Sequence, residues 1–424
     1  MRRTVLIGAG LVALGVAGFA LAAETALSPL EDLGKAIFFD QELSINRNQA
    51  CAACHAPDVG FTGPDSEINA HGAVYEGSIP GRFGDRKPPA SSYATLSPLL
   101  QYVTEKDDAL FIGGNFWDGR ATGARLGNAA ADQAQGPFLN PMEQGLPDSA
   151  CVVYRVCNPA FAYAVSFEEV WGPDACDILW PMDVDTVCSM EGMTVALSPE
   201  DRVRSNMAYD NIALSIAAYE GSTESNAFTS KYDYVAKGEA EFTRDEKMGF
   251  NLFRGKGKCA KCHVLDGGET PFTDFTYDNL GVPKNPENPI YNRIPDYVDL
   301  GLGGFLATQP ELWASFAEDN YGKQKVPTLR NVAKAPDGVV KNFSHNGYFK
   351  SLEGIVHFYN TRDAKQPCLD PLTTEADALA MNCWPAAEVG ENVNTEELGD
   401  LHLSPRQEAQ IIEFLKTLSD GYTP

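Results

Sequence analysis

Apolar residues recur in the same order in two distant stretches of the chain. Leu33, Ile37 and Phe38 follow an i, i+4, i+5 spacing, and Met248, Leu252 and Phe253 repeat it. That spacing gathers three apolar side chains on one face of a short helix. Each stretch opens on a hydroxyl residue with a glutamate three positions on, Ser28 with Glu31 and Thr243 with Glu246. This is the capping-box pattern, in which each side chain satisfies the other residue's free main-chain N–H. Pro29 suits a first helical position. A similar start, Ser404-Pro405, precedes the stripe Ile411, Leu415 and Leu418 and predicts a helix near the C-terminus. Strand-like alternation is sparse, while glycine (38) and proline (27) are frequent. The pattern predicts a mainly α protein with long loops, built from two related helical units. The polar stretch from Tyr219 to Glu241 reads as the linker between them.

Each repeated helix runs into a Cys-x-x-Cys-His: Cys51, Cys54 and His55 in the first unit, Cys259, Cys262 and His263 in the second. A thiol redox pair of this spacing is expected near a βαβ pattern, which is absent. A zinc site shared by the four cysteines would have to draw two separate units together. Covalent attachment of a c-type haem explains the adjacent histidine as well. Two thioether bonds fix the porphyrin edge, and the histidine reaches the iron as proximal ligand. Two such motifs on repeated helices point to two covalently bound haem c groups, with His55 and His263 as ligands.

Composition narrows the setting. The 424 residues are 44% hydrophobic, enough for two domains with cores of their own. A formal net charge of −25 excludes a nucleic-acid partner. It suits attraction of a basic protein instead. Residues 1–23 read as a signal peptide, with Arg2 and Arg3 before an apolar run and an A-x-A-like site around Ala20–Ala23. The expected location is the periplasm or cell surface. Six further cysteines then suggest three disulfides. Cys368 and Cys383 form one expected pair. Cys151, Cys157, Cys176 and Cys188 allow three connectivities. The segments that carry them, 144–199 and 363–400, read as acidic, disulfide-stapled surface loops.

The motifs "FWDGRA" (116–121), "QAQGPFLNPME" (133–143), "VPTLRN" (326–331) and "HNGYFKSL" (345–352), together with the two Cys-x-x-Cys-His, resemble the bacterial di-haem cytochrome c peroxidase family, which includes MauG-like enzymes. The resemblance spans nearly the whole chain beyond the signal peptide. It implies two cytochrome-c-like domains, a peroxidatic one over 24–235 and an electron-transfer one over 236–424. It implies reduction of hydrogen peroxide with electrons from a small cytochrome c or cupredoxin. It also carries over Glu143 as the catalytic acid–base group, Gln133 as the residue orienting peroxide, and Trp117 as the inter-haem residue. Arg120 would serve a haem propionate, and His71 would cap the peroxidatic iron at rest. Members are often homodimers.

Three positions depart from the family pattern. The methionine that ligates the second haem is replaced by Ser344, which leaves a five-coordinate or water-bound iron, or recruitment of His345, Tyr348 or Met381. MauG-like members use a tyrosine there, so oxidation of a partner protein is the alternative activity. The tryptophan those members carry two residues before the second Cys-x-x-Cys-His is Gly257 here. The family's inter-haem calcium would take main-chain oxygens around Lys325 and Pro327, and its asparagine ligand is replaced near Arg86.

Overall fold

The computed structural model describes residues 26–105, 108–160, 163–265 and 269–424. The stretch read as a signal peptide, residues 1–23, lies outside these residues. Among them, no helix is long and apolar enough to cross a membrane.

Helix α1 (Pro29–Phe38) begins as its sequence demands, with the Ser28 side chain accepting from the Glu31 N–H and Glu31 returning the bond. A hairpin follows, β1 (Gln101–Glu105) antiparallel to β2 (Asp108–Ile112). Then come α2 (Ala129–Leu139), α3 (Ser149–Val156), the 23-residue α4 (Pro199–Gly221) and the short α5 (Lys231–Ala236). The second half holds α6 (Arg244–Arg254), α7 (Leu352–Thr361) and α8 (Pro405–Lys416). Capping boxes at Thr243 and Ser404 start α6 and α8.

The repeat in the sequence is a repeated helix crossing. Helix α1 lies against α4, and α6 against α8. At each crossing a glycine removes the side chain that would hold the helices apart. A Cβ on Gly34 would stand 1.8 Å from the Ser215 carbonyl oxygen, and one on Gly249 would stand 1.8 Å from that of Gln410. Leu33, Ile37 and Phe38 then face one apolar cluster, and Leu252 and Phe253 another. Met248, the third residue of the second stripe, is 43% exposed.

Two expectations need correcting. The 144–199 segment does more than lengthen the surface. In α3, Cys151, Val152, Val153 and Val156 are fully buried in the first cluster. Arg155 is buried with them and donates to the main-chain oxygens of Glu42, Ser44 and Cys188. The disulfides are Cys151–Cys188, Cys157–Cys176 and Cys368–Cys383. In the second stapled segment, Ala378 and Trp384 are buried against Phe349 and Phe358. The stretch expected to be a linker is also anchored. Tyr219 belongs to α4, and Asp233 in α5 forms a buried ion pair with Arg330 at 2.6 Å.

A third cluster mixes the two halves. Leu100 and Phe111 of the hairpin region bury against Tyr277, Leu302 and Leu306.

Candidate functional site: two cavities sharing a tryptophan

Both motifs adopt one local geometry. A 3-10 turn (Cys51–Ala53, Cys259–Lys261) brings the histidine N–H onto the first cysteine's carbonyl, at 3.0 Å for His55 and 2.9 Å for His263. Each imidazole then places Nδ1 on a main-chain oxygen, His55 on Phe61 at 3.1 Å and His263 on Phe272 at 2.8 Å. A carbonyl only accepts, so Nδ1 carries the proton and Nε2 is left with its lone pair. This is the arrangement that orients a histidine ligand. Burial lowers the pKa of both rings and keeps them neutral.

Each motif lines a cavity. One, of about 380 Å³, is bordered by Cys51, Cys54, His55, Gln133, Glu143 and Trp117. The other, of about 210 Å³, is bordered by Cys259, Cys262, His263, His345 and again Trp117. None of the four cysteines is in a disulfide. Burial pushes the Cys54 and Cys259 thiols up to about 12, the reverse of a thiol redox catalyst. With the pairs in separate cavities, a shared zinc site is excluded. Among the described residues, the one group spaced for a metal ion is Cys262, Asp278 and Glu397, which borrows a motif cysteine. Two unpaired thiols and a buried neutral imidazole on each cavity wall fit a covalently attached haem in both.

The sequence-predicted acid–base pair meets in the first cavity. Gln133 projects from α2, and Glu143 follows the turn that ends it, its N–H on the Asn140 carbonyl at 2.9 Å. Burial raises the Glu143 carboxyl to about 7, with Arg120 pulling the other way. Glu143 can therefore both hold and release a proton near neutrality.

Trp117 stands between the cavities. It is 7% exposed, and its indole N–H is held by the Lys87 carbonyl. Arg120 pairs with Asp118 at 2.7 Å and lies 3.9 Å from the Phe116 ring centroid, on the wall of the first cavity.

His71 is not brought into either cavity. Its side chain is 57% exposed, with Nδ1 2.9 Å from Glu287 and Nε2 3.3 Å from Glu67. Around the second cavity, the Ser344 hydroxyl donates to its neighbours Phe343 and Asn346. Tyr348 is buried and donates to the Thr373 carbonyl, and Met381 is 58% exposed. His345 does line the cavity, and its buried Nε2 has no hydrogen-bond partner.

The residues do not fit the calcium that the resemblance implies. The Arg86 guanidinium is buried between Asp299, at 2.6 Å, and Asp118, at 2.7 Å. Against the upward pull of burial, Arg86 holds the Asp299 carboxyl well below its usual range. A hard dication needs oxygen ligands that no resident cation already holds.

Sequence reasoning passed over several groups in these walls. Lys87, Asp85 and Tyr297 line the first cavity, and so does Glu220, whose carboxyl burial raises to about 8. The "GDRKPP" stretch read only as a departure from pattern at Arg86, and Glu220 fell in the stretch read as a linker.

Comparison with known proteins agrees with this geometry. Residues 28–241 match the di-haem cytochrome c peroxidase family. The chain is 33% identical to the methylamine utilization protein MauG of Paracoccus denitrificans, over 96% of this chain and 93% of that one. It is 24% identical to the cytochrome c551 peroxidase of Nitrosomonas europaea, over 77% of this chain and 71% of that one. The fold matches the crystal structure of the diheme peroxidase BthA from Burkholderia thailandensis with a TM-score of 0.69 and 28% identity, covering 93% of this chain and 87% of that one.

Proposed function

Because this chain belongs to the di-haem cytochrome c peroxidase family, we propose that it is an exported, periplasmic enzyme that reduces hydrogen peroxide to water with electrons from a small cytochrome c or cupredoxin. The observation that carries this reading is one cavity holding His55 Nε2, Glu143 and Gln133, beside a tryptophan shared with a second such cavity. The bound haems supply the iron at which peroxide is reduced and the second redox centre that feeds it. The chain's own groups do the rest. Gln133 orients peroxide through its amide. Glu143 takes the proton from one peroxide oxygen and returns it to the other, which leaves as water. Trp117 carries electrons from the His263 side to the His55 side. The domains are assigned to 24–235 and 236–424, and the acidic surface to docking of a basic donor.

The second reading is a MauG-like enzyme that uses peroxide to oxidise residues of a partner protein. Two observations favour it: the identity to MauG, and Ser344, which offers no thioether to hold the second iron at high potential.

One experiment separates them. Purified holoprotein is mixed with peroxide and a reduced small cytochrome c, with and without prior reduction. Fast steady oxidation of the cytochrome supports the peroxidase. Slow or absent turnover, with a long-lived oxidised state of the protein, supports the second reading.

A further inference from the structure

The first cavity has two tyrosines on its wall, Tyr75 and Tyr297. They differ in what receives their hydroxyl proton. Tyr75 donates to the amide oxygen of Asn69, which is no base. Tyr297 donates to the carboxylate of Asp85, itself on the wall of the same cavity. The distinction matters because a phenol that loses an electron becomes a strong acid. Near neutral pH it gives up the electron readily only if a base already holds its proton. Tyr209, Tyr277 and Tyr348 donate to main-chain carbonyls, which cannot take it.

Other tyrosines have carboxylate partners but lack the position. Tyr154 and Tyr163 bond to Asp185 and Asp40 and line neither motif's cavity. Tyr93 bonds to Asp420 near His55, with the Arg330 guanidinium 5.5 Å from its ring centroid. Tyr93 does not line the cavity that holds Glu143. Tyr291 is the ring next to Tyr297, with centroids 6.1 Å apart, and it donates to Glu388 at 2.9 Å. Tyr291 lines neither motif's cavity, and the Lys284 ammonium, 4.9 Å from its centroid, also donates to the Tyr297 carbonyl at 2.9 Å. Beyond Tyr297 the chain reaches solvent, with Ile294 and Val298 exposed on either side.

We propose that Tyr297 is a redox-active residue of the peroxide reaction, taking up one of its two oxidising equivalents when no electron arrives through Trp117. This rests on the peroxide-reducing reading above. Peroxide accepts two electrons and two protons and leaves as two waters. One electron would come from the redox centre held in the first cavity and one from the Tyr297 ring, whose phenolic proton passes to Asp85; the two protons of the waters come from solvent by way of Glu143. A docked reductant later returns one electron to the ring, and Asp85 returns the proton. Tyr297 lines the first cavity and Tyr291 does not, which puts Tyr297 first in reach of the oxidising equivalent. Tyr297 thereby offers an oxidant at an exposed loop with apolar flanks, which suits a protein reductant.

The test mixes holoprotein with one equivalent of peroxide and no donor, freezes it within milliseconds and records the EPR spectrum. Protein grown on ring-deuterated tyrosine is run in parallel. An organic radical signal that narrows on deuteration, is lost in Tyr297→Phe and Asp85→Asn, and persists in Tyr291→Phe and Tyr75→Phe supports the proposal. A signal that ignores deuteration, survives in Tyr297→Phe, or never forms although peroxide is consumed overturns it. If the wild type consumes no peroxide, the underlying reading fails, and this proposal with it. Tyr297→Phe removes one oxygen and keeps the ring, so its visible spectrum reports whether the haem sites remain intact.

Discussion

The indole N–H of Trp117 donates to the main-chain carbonyl of Lys87 at 3.0 Å. The same Lys87 residue donates its own N–H to the carbonyl of His345 at 2.9 Å. A continuous hydrogen-bonded path therefore runs from the tryptophan to the loop that borders the second cavity. Trp117→Phe keeps an aromatic plug and removes the donor. Electron flow from the second site to the first is expected to slow, seen as lower steady turnover with a cytochrome donor. The variant also leaves the buried Lys87 oxygen unpaired, at about 1–3 kcal/mol in a denaturation experiment.

Glu143→Gln removes the proton carrier and keeps the shape. Peroxide reduction is expected to fall about 10²–10⁴-fold, as for loss of a general acid–base group. In the wild type the rate rises with pH through about 7, where the carboxyl ionises, and the glutamine variant loses that limb. Stability moves the other way. Burial raises the folded-state pKa, so the folded protein holds this proton more tightly than the unfolded chain does. The site's contribution is complete below the ordinary carboxylate range and is lost as pH rises through about 7. Chemical denaturation across that window, wild type against variant, reads the difference.

The glycine crossings are expected to tolerate no side chain. A Cβ at Gly34 or Gly249 would lie 1.8 Å from a main-chain oxygen, so the helices must separate. Gly34→Ala and Gly249→Ala should each cost about 1–3 kcal/mol or more. Equal losses at the two sites would establish the crossings as energetic equivalents.

His71→Ala is expected to leave the first haem site as it is. The imidazole sits on the surface between Glu67 and Glu287, with Nδ1 on the latter. Resting spin state and peroxide reactivity without prior reduction should match the wild type. A changed resting spectrum would show that this loop reaches the iron.

The helical units, their caps and both cysteine motifs were legible because each rests on local sequence. Ser28 and Glu31 bond across three residues, and the spacing of Leu33, Ile37 and Phe38 is itself the buried face. Glu143 and Gln133 were legible only through family resemblance. Ten residues of spacing say nothing about a shared cavity. Arg86 was opaque because its meaning lies in Asp118 and Asp299, and Asp299 is far away in the chain. The 144–199 segment misled by composition. Its acidic residues suggested surface, while a four-residue apolar stripe and the buried Arg155 in α3 tie it to the core.

The cysteine arrangement sets an order of events in making this protein. Six thiols must be oxidised to close the three disulfides, and four must stay reduced to receive the cofactors. Cys51 of the first attachment motif packs against the same buried cluster that holds the Cys151–Cys188 bond. Closing that cluster narrows the approach to the half-buried Cys51. Attachment is therefore expected to be easiest on a chain that is still open around α3. A maturation system that supplies oxidant ahead of cofactor would trap a folded, colourless and inactive product.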